Sequence, residues 1–208
     1  MKPTDSIRGL YAITPECSDT GRLLALTEAA LNGGAAVVQY RNKLLPAARR
    51  QEQALALVRL CRTHARPLIV NDDIALAQNI DAAGVHIGKD DALLSEARAA
   101  LGPDKIIGVS CYNRLELARS ACAQGADYVA FGSMFPSVTK PEACAASLEL
   151  LTHARRELKC PIVAIGGITA ENAGSVAQAG AHAIAVISDL FDAPSVDQRA
   201  RAYVRLFA

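Results

Sequence analysis

The chain contains no tryptophan, and aromatic residues make up only 4% of it. So small a supply disfavours the stacking platforms that bind single-stranded nucleic acid and the aromatic belts of membrane proteins. Excess charge is lacking as well: 22 Lys and Arg stand against 21 Asp and Glu, a net charge of +1. A nucleic-acid binder is expected to carry a basic excess, and a charged tail would show as a run of one sign. No nucleic-acid partner is therefore expected. No stretch approaches the ~18 apolar residues that span a bilayer. Residues 1–14 lack an apolar core followed by a small-residue cleavage site. The expectation is a cytoplasmic chain with no membrane partner.

Other absences narrow the chemistry. The six cysteines, Cys17, Cys61, Cys111, Cys122, Cys144 and Cys160, form no C-x-x-C pair and no zinc-spaced cluster with histidine. They read as reduced, small hydrophobes. Cys111 adjoins a candidate site residue, and its reactivity stays open. The sequence has no G-x-G-x-x-G, Walker A, H-E-x-x-H or G-x-S-x-G motif. This lowers the odds of a dehydrogenase, an NTPase, a zincin or a serine hydrolase.

What is present is a repeated pattern. A chain of 208 residues, 51% hydrophobic, can fill one core, burying roughly 70% of the surface its unfolded form exposes. Eight short apolar runs recur at 9–14, 36–41, 68–71, 84–87, 106–110, 127–133, 162–165 and 183–188. Continuous apolar runs suit strands buried on both faces of a parallel sheet. Ala- and Leu-rich stretches with helical spacing lie between them, at 22–32, 47–65, 115–124 and 148–158, with a last helix expected at 197–208. Gly33-Gly34, Gly84, Gly125 and Gly180 stand at the joints, where glycine supplies the left-handed residue that ends a helix. Dividing 208 residues by eight gives 26 per unit, which fits a single (β/α)8 TIM barrel, one α/β domain over 1–208. An open doubly wound sheet is the weaker alternative.

In such a barrel the chemistry sits where the strands end. The second run ends in Gln39, Arg41 and Lys43, which alternation places on one side. The third ends in Asn71 and Asp72, the fourth leads to Asp90 and Asp91, the fifth ends at Ser110, and the sixth runs into Ser137, Thr139 and Lys140. Carboxylates from separate strand ends, Asp72 and Asp91, are a donor set for Mg2+ held together with phosphate oxygens. Arg41, Lys43 and Lys140 are then the cations for a polyanion such as a diphosphate. Gly166-Gly167 and Ser188 follow the seventh and eighth runs, where this fold often binds a phosphate. Taken singly, each feature has an ordinary structural explanation. Asp73 and Asp90 fit helix N-caps, Arg41 with Asp72 fits an ion pair, and His86 fits a satisfied buried histidine. As a set they are harder to explain that way.

The same residues resemble the thiamine phosphate synthase family over almost the whole chain. The matching pieces are GLYAIT at 9–14, QYRNK at 39–43, LIVND at 68–72, GVHIG at 84–88 with Asp91, GVS at 108–110, PSVTK at 136–140, and AIGGI at 164–168. The resemblance implies a barrel enzyme that joins hydroxymethylpyrimidine diphosphate to thiazole phosphate, free or carboxylated, with release of diphosphate. It also implies Mg2+ on Asp72 and Asp91. Gln39, Arg41, Lys43, Asn71, Ser110 and Lys140 would contact the pyrimidine diphosphate, with Ser110, Lys140 and Arg41 closest to the chemistry. Ser137, Thr139, Gly167, Ile187 and Ser188 would contact the thiazole phosphate. The implied partners are small phosphorylated molecules; a homo-oligomer is left open. Tyr40, Asn42 and Ser137 depart from the usual pattern, and the first two alternate away from the site. A thiazole tautomerase on the same barrel is the main rival. It is disfavoured by the intact cation set and by the expectation that no histidine enters the polar cluster. A non-catalytic sensor of phosphorylated ligands is a second.

Overall fold

The computed structural model describes residues 7–88, 93–136 and 145–208. Its strands are β1 (Gly9–Ile13), β2 (Val37–Tyr40), β3 (Leu68–Asn71), β4 (Gly84–Ile87), β5 (Ile106–Tyr112), β6 (Tyr128–Phe131), β7 (Ile162–Ile165) and β8 (Ala183–Val186). They close into a barrel in sequence order, and β1 and β8 pair in parallel like the rest. The helices are α1 (Thr20–Asn32), α2 (Ala47–Thr63), α3 (Ile74–Asn79), α4 (Leu94–Leu101), α5 (Leu115–Ala123), α6 (Leu148–Glu157), α7 (Ala173–Gln178), α8 (Ser188–Phe191) and α9 (Val196–Val204). The eightfold alternation expected from the apolar runs is the architecture observed. No helix among the described residues is long and apolar enough to cross a membrane.

Strand pleating divides the buried residues into two clusters. Leu10, Ala12, Val38, Tyr40, Val70 and Val85 pack with apolar helix residues such as Leu23, Leu57 and Leu151. Tyr11, Ile13, Val37, Ile69, Tyr128 and Val163 fill the barrel interior. Each fully buried aliphatic side chain contributes about 1.5–3 kcal/mol, so both faces of every strand are committed. That is why the strand sequences show no polar alternation. Tyr40, which departs from the family pattern, belongs to the outer cluster, and its hydroxyl donates to Gln53 Oε1 at 3.0 Å. Asp73 is the N-cap of α3, accepting from the Leu76 N–H at 2.9 Å.

Several expectations need correction. Residue 188 does not end a strand: β8 stops at Val186, and Ser188 opens α8. Gly34, Gly125 and Gly180 do take left-handed backbone angles, but Gly84 lies inside β4. Its reason is proximity, because a Cβ there would overlap the Ile106 carbonyl of β5. The reduced reading of the cysteines fails for one pair. Cys122, just before the end of α5, and Cys160, just before β7, form a disulfide although 38 residues apart. Adjacent βα units bring their ends together at the barrel base, which no local spacing can encode. Cys17, Cys61 and Cys111 are free, whereas Cys144 lies outside the described residues.

Two glycines test this packing. Gly84→Ala forces the new methyl into backbone, which cannot rotate away, and should cost about 1–3 kcal/mol or more. Gly174→Ala on α7 meets open space and should leave stability unchanged or slightly raised. Denaturant midpoints of the two variants check the contrast; equal midpoints would contradict the packing described.

Candidate functional site

The carboxyl ends of β1, β2 and β3 assemble a charged mouth. Thr14, just past β1, clasps β2: its hydroxyl donates to the Arg41 carbonyl at 3.2 Å and accepts from the Arg41 N–H at 2.9 Å. This fixes the backbone from which Arg41 and Lys43 project. The Lys43 ammonium lies 3.1 Å from the Asp72 carboxylate. Asp72 sits at φ 64°, and its N–H donates to the His86 carbonyl at 2.8 Å. An Asp tolerates this left-handed angle better than most residues. The Asn71 amide donates to the same carboxylate at 2.6 Å. Asn42, Lys43, Arg50, Asn71, Asp72 and Asp73 line one open cavity, so Asn42 does not turn away from the site as alternation suggested.

Arg41 does not pair with Asp72. Its guanidinium meets Glu16 at 2.8 Å, and the Glu16 carboxylate also accepts from the Lys43 N–H at 3.1 Å. Sequence reasoning missed Glu16, which follows β1 in a loop with no motif of its own. Arg50 was missed too. It stands on α2 with its Nε buried and without a hydrogen-bond partner among the described residues, and its guanidinium is 3.5 Å from Asp73. Nothing in the sequence separates a cleft-facing helical arginine from its solvated neighbours.

Gln39 and Ser110 point into the barrel and belong to one buried chain of polar groups. Gln39 Nε2 donates to the Tyr11 hydroxyl at 3.0 Å, and that hydroxyl lies 2.7 Å from the Tyr128 hydroxyl. Tyr128 is 2.9 Å from His86 Nδ1, and His86 Nε2 is 2.8 Å from Ser110 Oγ. His86 is therefore a buried histidine with both ring nitrogens engaged, as its sequence position suggested. It nevertheless stands inside the polar cluster, where no histidine was expected. Burial pushes the hydroxyls of Tyr11 and Tyr128 well above the usual tyrosine range, so both stay protonated.

On the opposite side of the mouth, Gly166 and Gly167 follow β7 at φ 101° and 60°. A Cβ on Gly167 would overlap the Pro136 and Phe135 carbonyls, so the loop after β6 packs directly on this turn. Ile187 and Ser188 begin α8, which the Asp189 carboxylate ties to the β7 loop by accepting from the Ala170 N–H at 3.3 Å. The N–H groups of Gly167 and Ser188 have no partner among the described residues. Asp91, Ser137, Thr139 and Lys140 lie outside the described residues, as does Asp90. Among the described residues lining this mouth the possible metal donors are oxygens, and the Asp72 carboxylate with its neighbouring amide suits a hard divalent ion, although no cluster of three or more metal-binding side chains forms among them. The second proposed ligand, Asp91, is among the residues not described.

Cys111 stands outside the site. It is buried, and burial pushes its thiol up to about 12; Cys61 behaves the same way. The thiolate is the nucleophile, so Cys111 is inert at neutral pH. The sign follows from a folded pKa above the unfolded value. Keeping these thiols neutral contributes stability that is complete below about 8.5 and is lost as pH rises through the folded value. At pH 8, iodoacetamide should alkylate the partly exposed Cys17 and spare Cys61 and Cys111 until denaturant is added. Mass spectrometry of the alkylated peptides checks this, and rapid native labelling of Cys111 would contradict it.

Comparison with known proteins accords with this geometry. A family model described as thiamine monophosphate synthase matches residues 10–190. A thiamine-phosphate synthase of Methylobacillus flagellatus is 56% identical over 201 residues, covering 97% of this chain and 96% of that one. One from Thiobacillus denitrificans is 56% identical over 200 residues, covering 96% and 95%. Among solved structures, a thiamine phosphate pyrophosphorylase from Pyrococcus furiosus superposes with a TM-score of 0.86. It shares 34% identity and covers 98% of this chain and 96% of its own.

Proposed function

Because this chain belongs to the thiamine monophosphate synthase family, a family of transferases, we propose a specific reaction for it. It condenses 4-amino-2-methyl-5-hydroxymethylpyrimidine diphosphate with 4-methyl-5-(2-phosphooxyethyl)thiazole, or the carboxylated thiazole, to give thiamine phosphate and diphosphate. The observation that carries the reading is the Lys43–Asp72 pair beside Asn71 at the open mouth, above Gln39 and Ser110 in the barrel. An acidic group for a cation and basic groups for a polyanion lie within one cavity. No nucleophilic side chain is needed.

The substitution is dissociative. The carbon–oxygen bond to diphosphate breaks with its electron pair leaving on oxygen, and a cation remains on the pyrimidine methylene. The thiazole nitrogen then gives its lone pair to that carbon. Arg41, Lys43 and Lys140 hold the departing anion, and Ser110 donates to it. Gln39 and Asn71 orient the pyrimidine. Ser137, Thr139, Gly167, Ile187 and Ser188 seat the thiazole phosphate. Asp72 and Asp91 would hold Mg2+, which would supply positive charge to offset that of the leaving group. Catalysis by these residues is positioning and charge stabilisation prepared in advance. The same reading places the enzyme in the cytoplasm with small phosphorylated molecules as its partners.

A second reading is favoured by one observation. His86, 2.8 Å from Ser110, is a proton-transfer group at the site, as a thiazole tautomerase would need. The test separates the two. With both phosphorylated substrates and Mg2+, thiamine phosphate should form. Asp72→Ala and Lys140→Ala should each cut turnover at least 10²-fold, on the order of losing one charge-stabilising group, with unchanged circular dichroism. Near-normal turnover in both variants sinks the diphosphate site. Proton exchange on the thiazole without coupling favours the tautomerase.

A further inference from the structure

We propose that the buried chain Gln39–Tyr11–Tyr128–His86–Ser110 is a polarity relay. Through it, the orientation of the Gln39 amide sets the ring tautomer of His86 and, through His86, the direction of the Ser110 hydroxyl proton. The proposal rests on the reading of Gln39 and Ser110 as substrate contacts only for its effect on turnover. The relay itself stands on the geometry of the protein alone.

Proton counting carries it. A hydroxyl has one proton, and a neutral imidazole has one N–H. Gln39 Nε2 donates to Tyr11, whose oxygen therefore accepts. Among the described residues the only other partner of the Tyr11 hydroxyl is Tyr128 at 2.7 Å, so Tyr11 sends its proton there. Tyr128 has then accepted once, and its own proton goes to His86 Nδ1 at 2.9 Å. An accepting Nδ1 puts the imidazole proton on Nε2, which donates to Ser110 Oγ at 2.8 Å. The two ends are complementary. Ser110 keeps a proton to give, and Gln39 Oε1, without a partner among the described residues, is left to accept.

The opposite polarity is self-consistent only if the Gln39 amide turns over. With Nε2 still donating and the rest reversed, the buried Tyr11 proton would have no acceptor, which costs the full desolvation of that group. Both tyrosines are held protonated by burial, so no member leaves the chain as an anion. The packing has been hollowed for it. A Cβ on Gly108 would overlap the Tyr128 ring, which stacks on His86 at 5.5 Å between centroids and meets Tyr11 edge-on at 5.9 Å. Tyr11 and Tyr128 touch neither end group's functional partner, so they are positioning residues.

The test reads the tautomer of His86 by 15N NMR of the imidazole in the free enzyme. The wild type should show the Nε2–H form. Gln39→Glu, studied where its carboxylate is ionised, can only accept; Tyr11 must then donate to it, and the chain reverses to the Nδ1–H form. In the Tyr128→Phe background the same exchange at position 39 should leave the tautomer where Tyr128→Phe alone puts it. A wild-type Nδ1–H form or an imidazolium overturns the relay. So does a tautomer that ignores position 39 while Tyr128 is present, or follows it when Tyr128 is gone. Should Gln39→Glu not fold, Tyr11→Phe cuts the chain and leaves both end residues in place. It should lower kcat/KM for coupling about 10-fold, the size of one buried hydrogen bond, and unchanged kinetics count against the relay. An NMR response as described in an enzyme that forms no thiamine phosphate leaves the relay standing and removes the proposed reaction instead.

Discussion

A closed parallel barrel has one interior, and every strand must share it. That constraint orders the rest of this molecule. Because no strand has an edge, the inward side chains of all eight strands compete for the same volume, and a large ring from one strand must be matched by missing atoms on another. Gly108 on β5 provides that space for Tyr128 of β6. Gly84 on β4 does the same for the backbone of β5. Two tyrosines can then lie within an apolar interior, and their hydroxyls must be satisfied there. They satisfy each other, with Gln39 on Tyr11 and His86 on Tyr128, and Ser110 in turn engages the far nitrogen of His86. The polar chain near the mouth follows from filling the barrel with aromatic rings rather than with aliphatic side chains alone.

Above this layer the character changes within one or two residues per strand. β2 ends at Tyr40, and the next positions carry Arg41 and Lys43; β3 ends at Asn71, and Asp72 follows. The ladder that holds the strands also fixes the points from which these side chains project. Thr14 extends the grip one step further by bridging β1 to the backbone of Arg41. Loops carry the charges, and the barrel determines where they stand. The membership of this chain in the thiamine monophosphate synthase family accords with that division between scaffold and mouth.

Much of this was legible in the sequence. Eight apolar runs with helical stretches between them suffice for the barrel, because strands buried on both faces leave an unbroken hydrophobic trace. The alternation of Gln39, Arg41 and Lys43 beside Asn71 and Asp72 singled out strand ends from which Lys43, Asn71 and Asp72 come to line one cavity. What escaped was contact between distant positions. Glu16 pairs with Arg41 across 25 residues, and Cys122 bonds Cys160 across 38. Arg50 enters the cavity from the first turn of α2, a helix whose apolar stripe of Leu57, Val58 and Cys61 marks only its packing face. His86 was recognisable as buried, but its link to Ser110, 24 residues on, depends on the register of β4 against β5. These are facts of tertiary pairing, for which short-range periodicity carries no record. Tyr40 shows the converse case: strand alternation alone turned it away from the site, and it packs in the outer cluster.

The Lys43–Asp72 contact has a consequence for how ligands enter. In the protein without ligand, the ammonium and the carboxylate already neutralise each other across 3.1 Å. An anion arriving alone must draw Lys43 away and leave a carboxylate uncompensated in a half-shielded cavity. A cation arriving alone strands the ammonium in the same way. When the two arrive as one neutralised complex, each charge of the mouth exchanges one partner for another, and no net charge is transferred from water into the protein. On the proposed reading, a cation and a polyanion that come together would exchange partners with this half-exposed pair at little electrostatic cost.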